Sequence, residues 1–440
     1  MKLAGWGQYP IFDATVVAPR SLEAVIKRIQ LGNAIPRGNG RAYGDSAISL
    51  SNTIDMKHFN KLLAFDADTG QLVAESGVLL ADVIDTFLPK GWFPSVTPGT
   101  KFVTIGGMVA ADVHGKNHHK HGSFGRFIDW LDVITADGDV KRCSREQDSE
   151  LFDWTIGGMG LTGIVLKVAF RLAPVSTAWI KQKTIPAKNI EHAMAIFESM
   201  EEATYSVAWI DCLSKGNDLG RSLIMTGEHA ETTDLSEAAQ KTPLRAPNKK
   251  KITVPFNFPS FILNGFTVKV FNALYYWIGK QRSKPSLVTW DHYFYPLDGI
   301  LGWNKIYGRR GFAQFQCVIP LDQAGKGINA LLQAISQAST GSFLAVLKRF
   351  GDQNSRFSFP MKGYTLALDF PITAPNLKLM SQLDNITIQY GGRFYLAKDS
   401  RMTASTFKQS EPRLAQFKAF QLQRDANKAF SSEQAIRLDL

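Results

Sequence analysis

The chain has 440 residues, 45% hydrophobic, 20% charged and 11% aromatic. That is enough apolar side chain for two or three packed domains, and it excludes a disordered or fibrous chain. The formal charge of +11 favours anionic partners without choosing among nucleic acid, a membrane surface and a phosphorylated ligand. The cysteines Cys143, Cys212 and Cys317 are odd in number and far apart, which excludes a disulfide scaffold or CxxC zinc module and points to a reducing compartment.

The opening MKLAGWGQYPIFDATVV lacks the apolar run of a signal peptide. Short β-type runs follow: TVVAP, QLVAESGV, DWLDVITADG and TGIVLKVAFRLAP. Between them, Ser21 to Leu31 reads as a helix with Ser21 as N-cap, and Leu80 to Pro89 as a second. Pro174 closes this block. Beyond it lie helix-like stretches at Ile190 to Ala203 and Ile328 to Ala338, and strand-like runs VAWIDCL, AQFQCVIP and YTLALDFPI. The polar, basic residues 231–251 read as a mobile loop. Pro255 to Gly279 is apolar but broken by Pro259, Asn264, Gly265 and Lys269, a poor membrane span. From GGRFYLAKDSR onward the chain runs into a charged helix-like segment. Strands mixed with few helices give an α+β class rather than a repeating βαβ sheet.

Three glycine clusters stand out. The first, Arg37 to Asp45 (RGNGRAYGD), is either a surface turn or an anion nest to which Arg37 and Arg41 add positive charge. The second, Pro98 to Gly125, allows close backbone approach at Gly106 and Gly107 and holds His114, His118, His119 and His121. The histidine spacing invites a metal. No carboxylate or cysteine lies among them, however, and Lys116, Lys120 and Arg126 repel a divalent cation, so an anionic organic cofactor is favoured and no metal expected. The third, GGMGLTG, fits GxGxxG at Gly158, Gly160 and Gly163. A strand rather than a helix follows, and no acidic residue lies near Lys183, so the Rossmann reading fails and the glycines are expected in a strand–turn–strand. Together the nests point to one long ligand with a pyrophosphate, a dinucleotide held outside a Rossmann frame.

In order, RGxGRxYGD, PGTxxVTIGG, DxHGKNHH and GGxGLTGI resemble the vanillyl-alcohol-oxidase-type flavoproteins. Within them, HGKNHH and the terminal FYLAKDSR resemble the decaprenylphosphoryl-β-D-ribose 2′-oxidase family. GWG near the start, AWID, WNKIYG, GFAQFQ and LDFPI extend the resemblance over nearly the whole chain. It implies a two-part FAD-binding domain, residues 1–175 and 391–440, with an inserted α+β substrate-binding domain at 176–390. It implies FAD-dependent oxidation of the 2′-hydroxyl of a polyprenyl-phosphate pentose (ribose) to a 2′-ketone, the first half of an epimerisation to arabinose completed by a separate short-chain reductase. FAD is expected without a covalent bond, because the first loop has no histidine and Tyr43 occupies that neighbourhood.

The resemblance also implies residue roles. Arg37, Gly38, Asn39, Gly40, Arg41, Ala42 and Tyr43, with Gly99, Thr100, Val103, Thr104, Gly106 and Gly107, hold the pyrophosphate and adenosine side. Gly163 and Ile164 lie near the adenine or ribitol. His114, Gly115, Lys116, Asn117 and Tyr395 border the isoalloxazine, and Lys116 either stabilises negative charge on reduced flavin or binds substrate phosphate. Lys398 is the base, with His114 as rival, or only a binder of flavin or substrate. Gln314 and Gln316 alternate with Phe315 and share one strand face, which the resemblance turns toward the substrate pocket; Trp209, Tyr307 and Lys348 are further pocket candidates.

The chain departs from the family at Ala367, where mycobacterial members carry a cysteine, at Asp425-Ala426 in place of Asp-Pro, and at Phe294 in place of a tyrosine. Pro255 to Gly279, with Lys249, Lys250 and Lys251 before it and Lys280, Arg282 and Lys284 after it, is either an interfacial membrane segment or a buried one with solvated ends. The expected location is cytoplasmic, peripheral to the inner face of the plasma membrane where that segment is interfacial. The alternative enzyme reading keeps FAD with a soluble alditol or aldonolactone. Nucleic-acid binding lacks any recognised signature and is not expected.

Overall fold

Ser21 caps the first helix, Leu22–Ile29, its side chain accepting from the amide of Ala24 at 3.3 Å. The computed structural model describes residues 1–247, 249–259, 265–282, 284–338, 342 and 344–440. The helix expected at Leu80 to Pro89 spans Leu80–Phe87, and Pro89 falls in a following 3-10 turn, because proline cannot continue the hydrogen-bond ladder.

The amino-terminal block builds two sheets. Val16–Val17, Thr53–Asp55 and Ile35–Arg37 pair in parallel. Ile164–Pro174 is the central strand of an antiparallel sheet that also holds Ile128–Ile134, Val140–Ser144, Gln71–Glu75, Leu62–Asp66 and Trp92–Pro94. Its first six residues, alternately packed on both faces, are buried or nearly so, which explains the continuous apolar run of IVLKVAF. The glycine cluster before it follows the helix Ser149–Thr155, so the expected strand–turn–strand is a helix–turn–strand. Gly157, Gly160 and Gly163 take φ of 81°, 81° and 147°, open only to glycine at low cost.

The second block is an eight-stranded antiparallel sheet. Its order is Ser286–Thr289, Trp179–Ala187, Ser222–His229, Tyr205–Ile210, Ala345–Phe350, Gly363–Pro371, Phe312–Pro320 and Arg393–Phe394. The last of these belongs to this sheet although it lies past the expected boundary at 390. Helices Ile190–Ser199, Leu321–Ala338 and Ala374–Gln389 bury one face of the sheet against a single apolar core shared with the first block. Ala374–Gln389 was not foreseen, its weak apolar stripe being hidden by Asn, Gln and Ser. The opposite face is left for a cavity.

Residues 231–251 are not simply a loop. They form a 3-10 turn at Thr232–Asp234 and a short helix at Glu237–Gln240, and Lys249 Nζ donates to the Tyr295 carbonyl at 2.8 Å. The apolar window Pro255 to Gly279 includes 260–264, which lie outside the described residues. Its remainder enters a helix, Gly265–Gln281. One side of that helix seats on the sheet: Val268 is buried, Asn272 Nδ2 donates to Asp211 at 2.8 Å, and Gly279 lies against Leu223. The other side carries Phe266, Leu274 and Trp277, exposed at 75%, 54% and 59%. Among the described residues no helix is long and apolar enough to cross a membrane.

Candidate active site

Strand pairing decides which side chains meet. Cα register places Gln314 opposite Asp369 and Gln316 opposite Ala367, while Lys348 pairs with Thr365 and Val346 with Ala367. Because alternate residues share a face, Gln314, Gln316, Thr365, Ala367, Val346 and Lys348 form one wall. Trp209, Val207 and Met225 continue it. The three glycine loops face this wall, and between them lies a cavity of about 550 Å³, well within the range of organic-ligand sites, roughly 300–1,000 Å³.

Most of the expected residues line it: Arg37 to Tyr43, Gly99, Thr100, Val103, Thr104, Gly106, Gly107, His114, Lys116, Gly163, Trp209, Gln314, Gln316, Lys348, Tyr395 and Lys398. Four do not. Gly115 is packed against the Asn117 side chain and the Thr97 backbone. Asn117 is fully buried and donates to the Ser95 carbonyl at 2.8 Å. The Ile164 side chain sits in the small core around Val25, Ile29 and Ile54. Tyr307 stacks on Phe312 at 4.3 Å beyond the end of the wall and donates to Asp369 at 3.3 Å. Period-2 alternation could not have separated these from lining residues, since burial alone does not tell which cavity a side chain faces.

The loops are shaped by close approach. A Cβ on Gly38 would lie 2.1 Å from Thr104 Oγ1, the oxygen that caps the helix Ile105–Ala110 by accepting from Gly107 N at 3.2 Å. Arg37, read from sequence as a phosphate ligand, lines the cavity and also braces the loop by donating to the carbonyls of Ala4 (2.8 Å) and Ala47 (3.3 Å). Asn39 likewise donates to Phe102 O at 2.8 Å. Arg41 keeps a free Nε and lies over the Trp6 ring at 4.2 Å.

Half-buried cations dominate the other end. Lys398 Nζ lies 3.7 Å from the Tyr43 ring centroid. Burial takes its ammonium down to about 7, with Asp369 opposing and Lys348 reinforcing the shift. Burial likewise takes Lys348 down to about 8. Lys116 is pushed well below its ordinary value by burial, then by Lys348 and Lys249, and its Nζ donates to the carbonyls of Tyr293 and, at 3.3 Å, Phe294. Burial, Lys348, His118 and Lys398 hold His114 well below the usual imidazole range, so it is neutral. Its Nε2 lies 3.2 Å from Gln316 Nε2 and its Nδ1 has no protein partner. Asp369, missed from sequence although it lies in the LDFPI run, bonds Gln314 and is raised to about 7 by burial. Its signal was the register that sets it opposite Gln314.

The remaining histidines turn apart: His118 Nε2 meets Gln353 at 2.7 Å and His119 Nε2 the Ala203 carbonyl at 2.7 Å. Among the described residues no three His, Cys, Asp or Glu converge as a metal-binding group.

The residues fit a flavin dinucleotide. Arg41 Nε, Ser76 Oγ, Thr97 Oγ1, His114 Nδ1 and Tyr293 Oη are buried without protein partners, and all five residues line the cavity. Buried polar atoms need hydrogen-bond partners, and a polar ligand in the cavity would supply them to these five. Residues 14–144 match the model of the FAD binding domain family. Such a domain beside an antiparallel sheet that walls the cavity defines an FAD-dependent oxidoreductase of the vanillyl-alcohol-oxidase type. Over its full length the chain is 35% identical to decaprenylphosphoryl-beta-D-ribose oxidase of Mycolicibacterium smegmatis, covering 97% of that protein. An uncharacterized protein in the mprA 5′ region of Streptomyces coelicolor is 31% identical over 82% of this chain and 100% of its own length. L-gulonolactone oxidase of Bos taurus is 28% identical over 40% of this chain and 41% of its own length. The chain belongs to the decaprenylphosphoryl-ribose oxidase family of FAD-dependent oxidoreductases.

Proposed function

We propose that this enzyme oxidises the 2′-hydroxyl of a polyprenyl-phosphate pentose, ribose, to a 2′-ketone, the first half of an epimerisation to arabinose. One observation carries the reading: Lys116, Lys348 and Lys398, all half-buried, line a single cavity, and the charge of Lys348 lowers both Lys116 and Lys398. Clustered buried cations are costly unless an anion joins them, and a substrate phosphate supplies one. Full-length similarity to a protein named for the prenyl-phosphate ribose supports the same substrate. Bound FAD would accept the hydride from the carbinol carbon.

The chain's own residues do the rest. Lys398, whose ammonium burial brings down to about 7, takes the hydroxyl proton. Gln316 holds His114, and Gln314 holds Asp369 beside that amine. FAD is held without a covalent bond, in keeping with the absence of histidine from Arg37 to Asp45. The 2′-ketone must be reduced from its opposite face, so a short-chain reductase is the expected partner. Mixing the enzyme anaerobically with prenyl-phosphate ribose should bleach its flavin absorbance, while free alditols and aldonolactones leave it unchanged at equal concentration. Bleaching by the soluble compounds alone would replace this substrate with the soluble class.

The enzyme is proposed to be cytoplasmic and peripheral at the inner face of the plasma membrane. The exposed Phe266, Val270, Leu274 and Trp277 share one side of the helix Gly265–Gln281, and Lys249, Lys250, Lys251, Lys280, Arg282 and Lys284 flank it. This layout suits insertion at an anionic interface. Tyr275 on the same helix packs on Trp209 at 4.8 Å and lines the cavity, which lets a prenyl tail run from bilayer to site. A Leu274→Asp, Trp277→Asp variant should keep its flavin and lose co-sedimentation with anionic vesicles; unchanged sedimentation would refute the contact.

A further inference from the structure

Arg437 lies near the carboxyl end, outside the cavity and outside every motif considered above. It sits on the helix Glu433–Leu438. Its Nε and one terminal nitrogen donate to the two oxygens of Asp45, at 3.0 and 2.7 Å. The same terminal nitrogen reaches Asp399 at 2.8 Å, and the other donates to the Met402 carbonyl at 2.6 Å. Asp45 and Asp399 are both buried.

The two carboxylates mark the ends of two cavity segments. Asp45 closes the first glycine loop, two residues after Tyr43, and Asp399 directly follows Lys398. Between these ends the segments touch closely. Tyr43 N donates to the Ala397 carbonyl at 2.9 Å, and a Cβ on Gly44 would lie 2.2 Å from the Asp399 carbonyl oxygen. Gln434, on the same helix as Arg437, donates to the Leu396 carbonyl at 2.8 Å. Asp399 Oδ1 is occupied by the amides of Arg401 and Met402, so the Asp399 side chain cannot rotate toward another partner.

We propose that Arg437 is a positioning residue: its planar fork ties the first glycine loop to the Lys398 segment and so sets the amine against Tyr43 and the flavin site. A forked guanidinium meets two carboxylates in fixed directions, which an ammonium cannot do. The proposal rests on reading the cavity as the flavin site, and its test does not depend on the sugar.

Arg437→Lys keeps the charge and loses the fork. The expected results are altered visible circular dichroism of the bound flavin, about tenfold weaker FAD binding to the apoprotein, and a shifted pH midpoint for flavin reduction. The rate of flavin reduction should fall by about 10²-fold with little change in KM, the cost of misplacing a reacting group by about 1 Å. A purely structural role predicts only a lower melting temperature, and that result would overturn the proposal. Where Arg437→Lys is insoluble, the charge-balanced Arg437→Gln, Asp45→Asn pair gives the same readouts. If wild-type enzyme does not oxidise prenyl-phosphate ribose, the substrate assignment fails, while FAD affinity and dichroism still decide the role of Arg437.

Discussion

Lys398→Met should slow flavin reduction by about 10²–10⁴-fold, the usual contribution of a positioned general base, while leaving the flavin bound. Methionine matches the length and apolar stem of lysine, so the packing against Tyr43 survives and only the amine is lost. Single-turnover reduction by prenyl-phosphate ribose measures the effect. The pH dependence separates the two roles open to this residue. Its amine titrates at about 7, because burial outweighs the pull of Asp369 and Lys348 adds to the shift. A base must be neutral to accept a proton, so the wild-type rate should rise with pH through about 7 and level off above it. A lysine acting only as a cationic binder would give the opposite profile, with the rate falling as the ammonium is lost. A falling limb centred near 7, or a Lys398→Met rate close to wild type, removes Lys398 as the base and leaves His114 as the candidate, whose ring is already neutral across this range.

The second large effect is on cofactor binding. Gly38→Ala should weaken FAD binding strongly, although it adds only one methyl group. That methyl would sit 2.1 Å from Thr104 Oγ1 and 3.0 Å from Thr104 Cγ2, so the first and second glycine loops must separate. Thr104 cannot yield freely, because its hydroxyl oxygen caps the following helix. Overpacking of this kind costs about 1–3 kcal/mol, which is about 5–150-fold in a binding constant if it falls on the bound state. The check is flavin content on purification and titration of FAD into the apoprotein. Gly325→Ala is the control: Gly325 lies on the helix Leu321–Ala338 away from the cavity, and its added Cβ meets nothing within 4 Å. Equal affinity in the two variants would show that loop spacing is not what holds the dinucleotide.

How far the site was legible varied with the kind of signal. Gln314 and Gln316 were readable because period 2 puts them on one side of a strand whatever the strand pairs with. The glycine loops were readable because low-cost positive φ and close approach both require a missing side chain. Charge alone did not give the direction of Arg37, which lines the cavity while its guanidinium donates to the Ala4 and Ala47 carbonyls. Asn117 and Tyr307 were expected at the pocket from the family resemblance, yet the Asn117 amide donates to the Ser95 carbonyl and the Tyr307 hydroxyl to Asp369. Asp369 and Arg437 gave no local sign at all.

Sequence by itself determined the α+β class and the three glycine bends, since each depends on backbone freedom or periodicity within a few residues; the FYLAKDSR segment with Lys398 was legible only through the family resemblance. Tertiary structure alone decided that Asp369 faces Gln314 and that Arg437 joins Asp45 to Asp399, and it set Lys116, Lys348 and Lys398, which the family resemblance had assigned to the pocket, on one cavity. The physical reason is that burial and Coulomb energy depend on distance in space, and strand register and helix docking set that distance between residues tens to hundreds of positions apart.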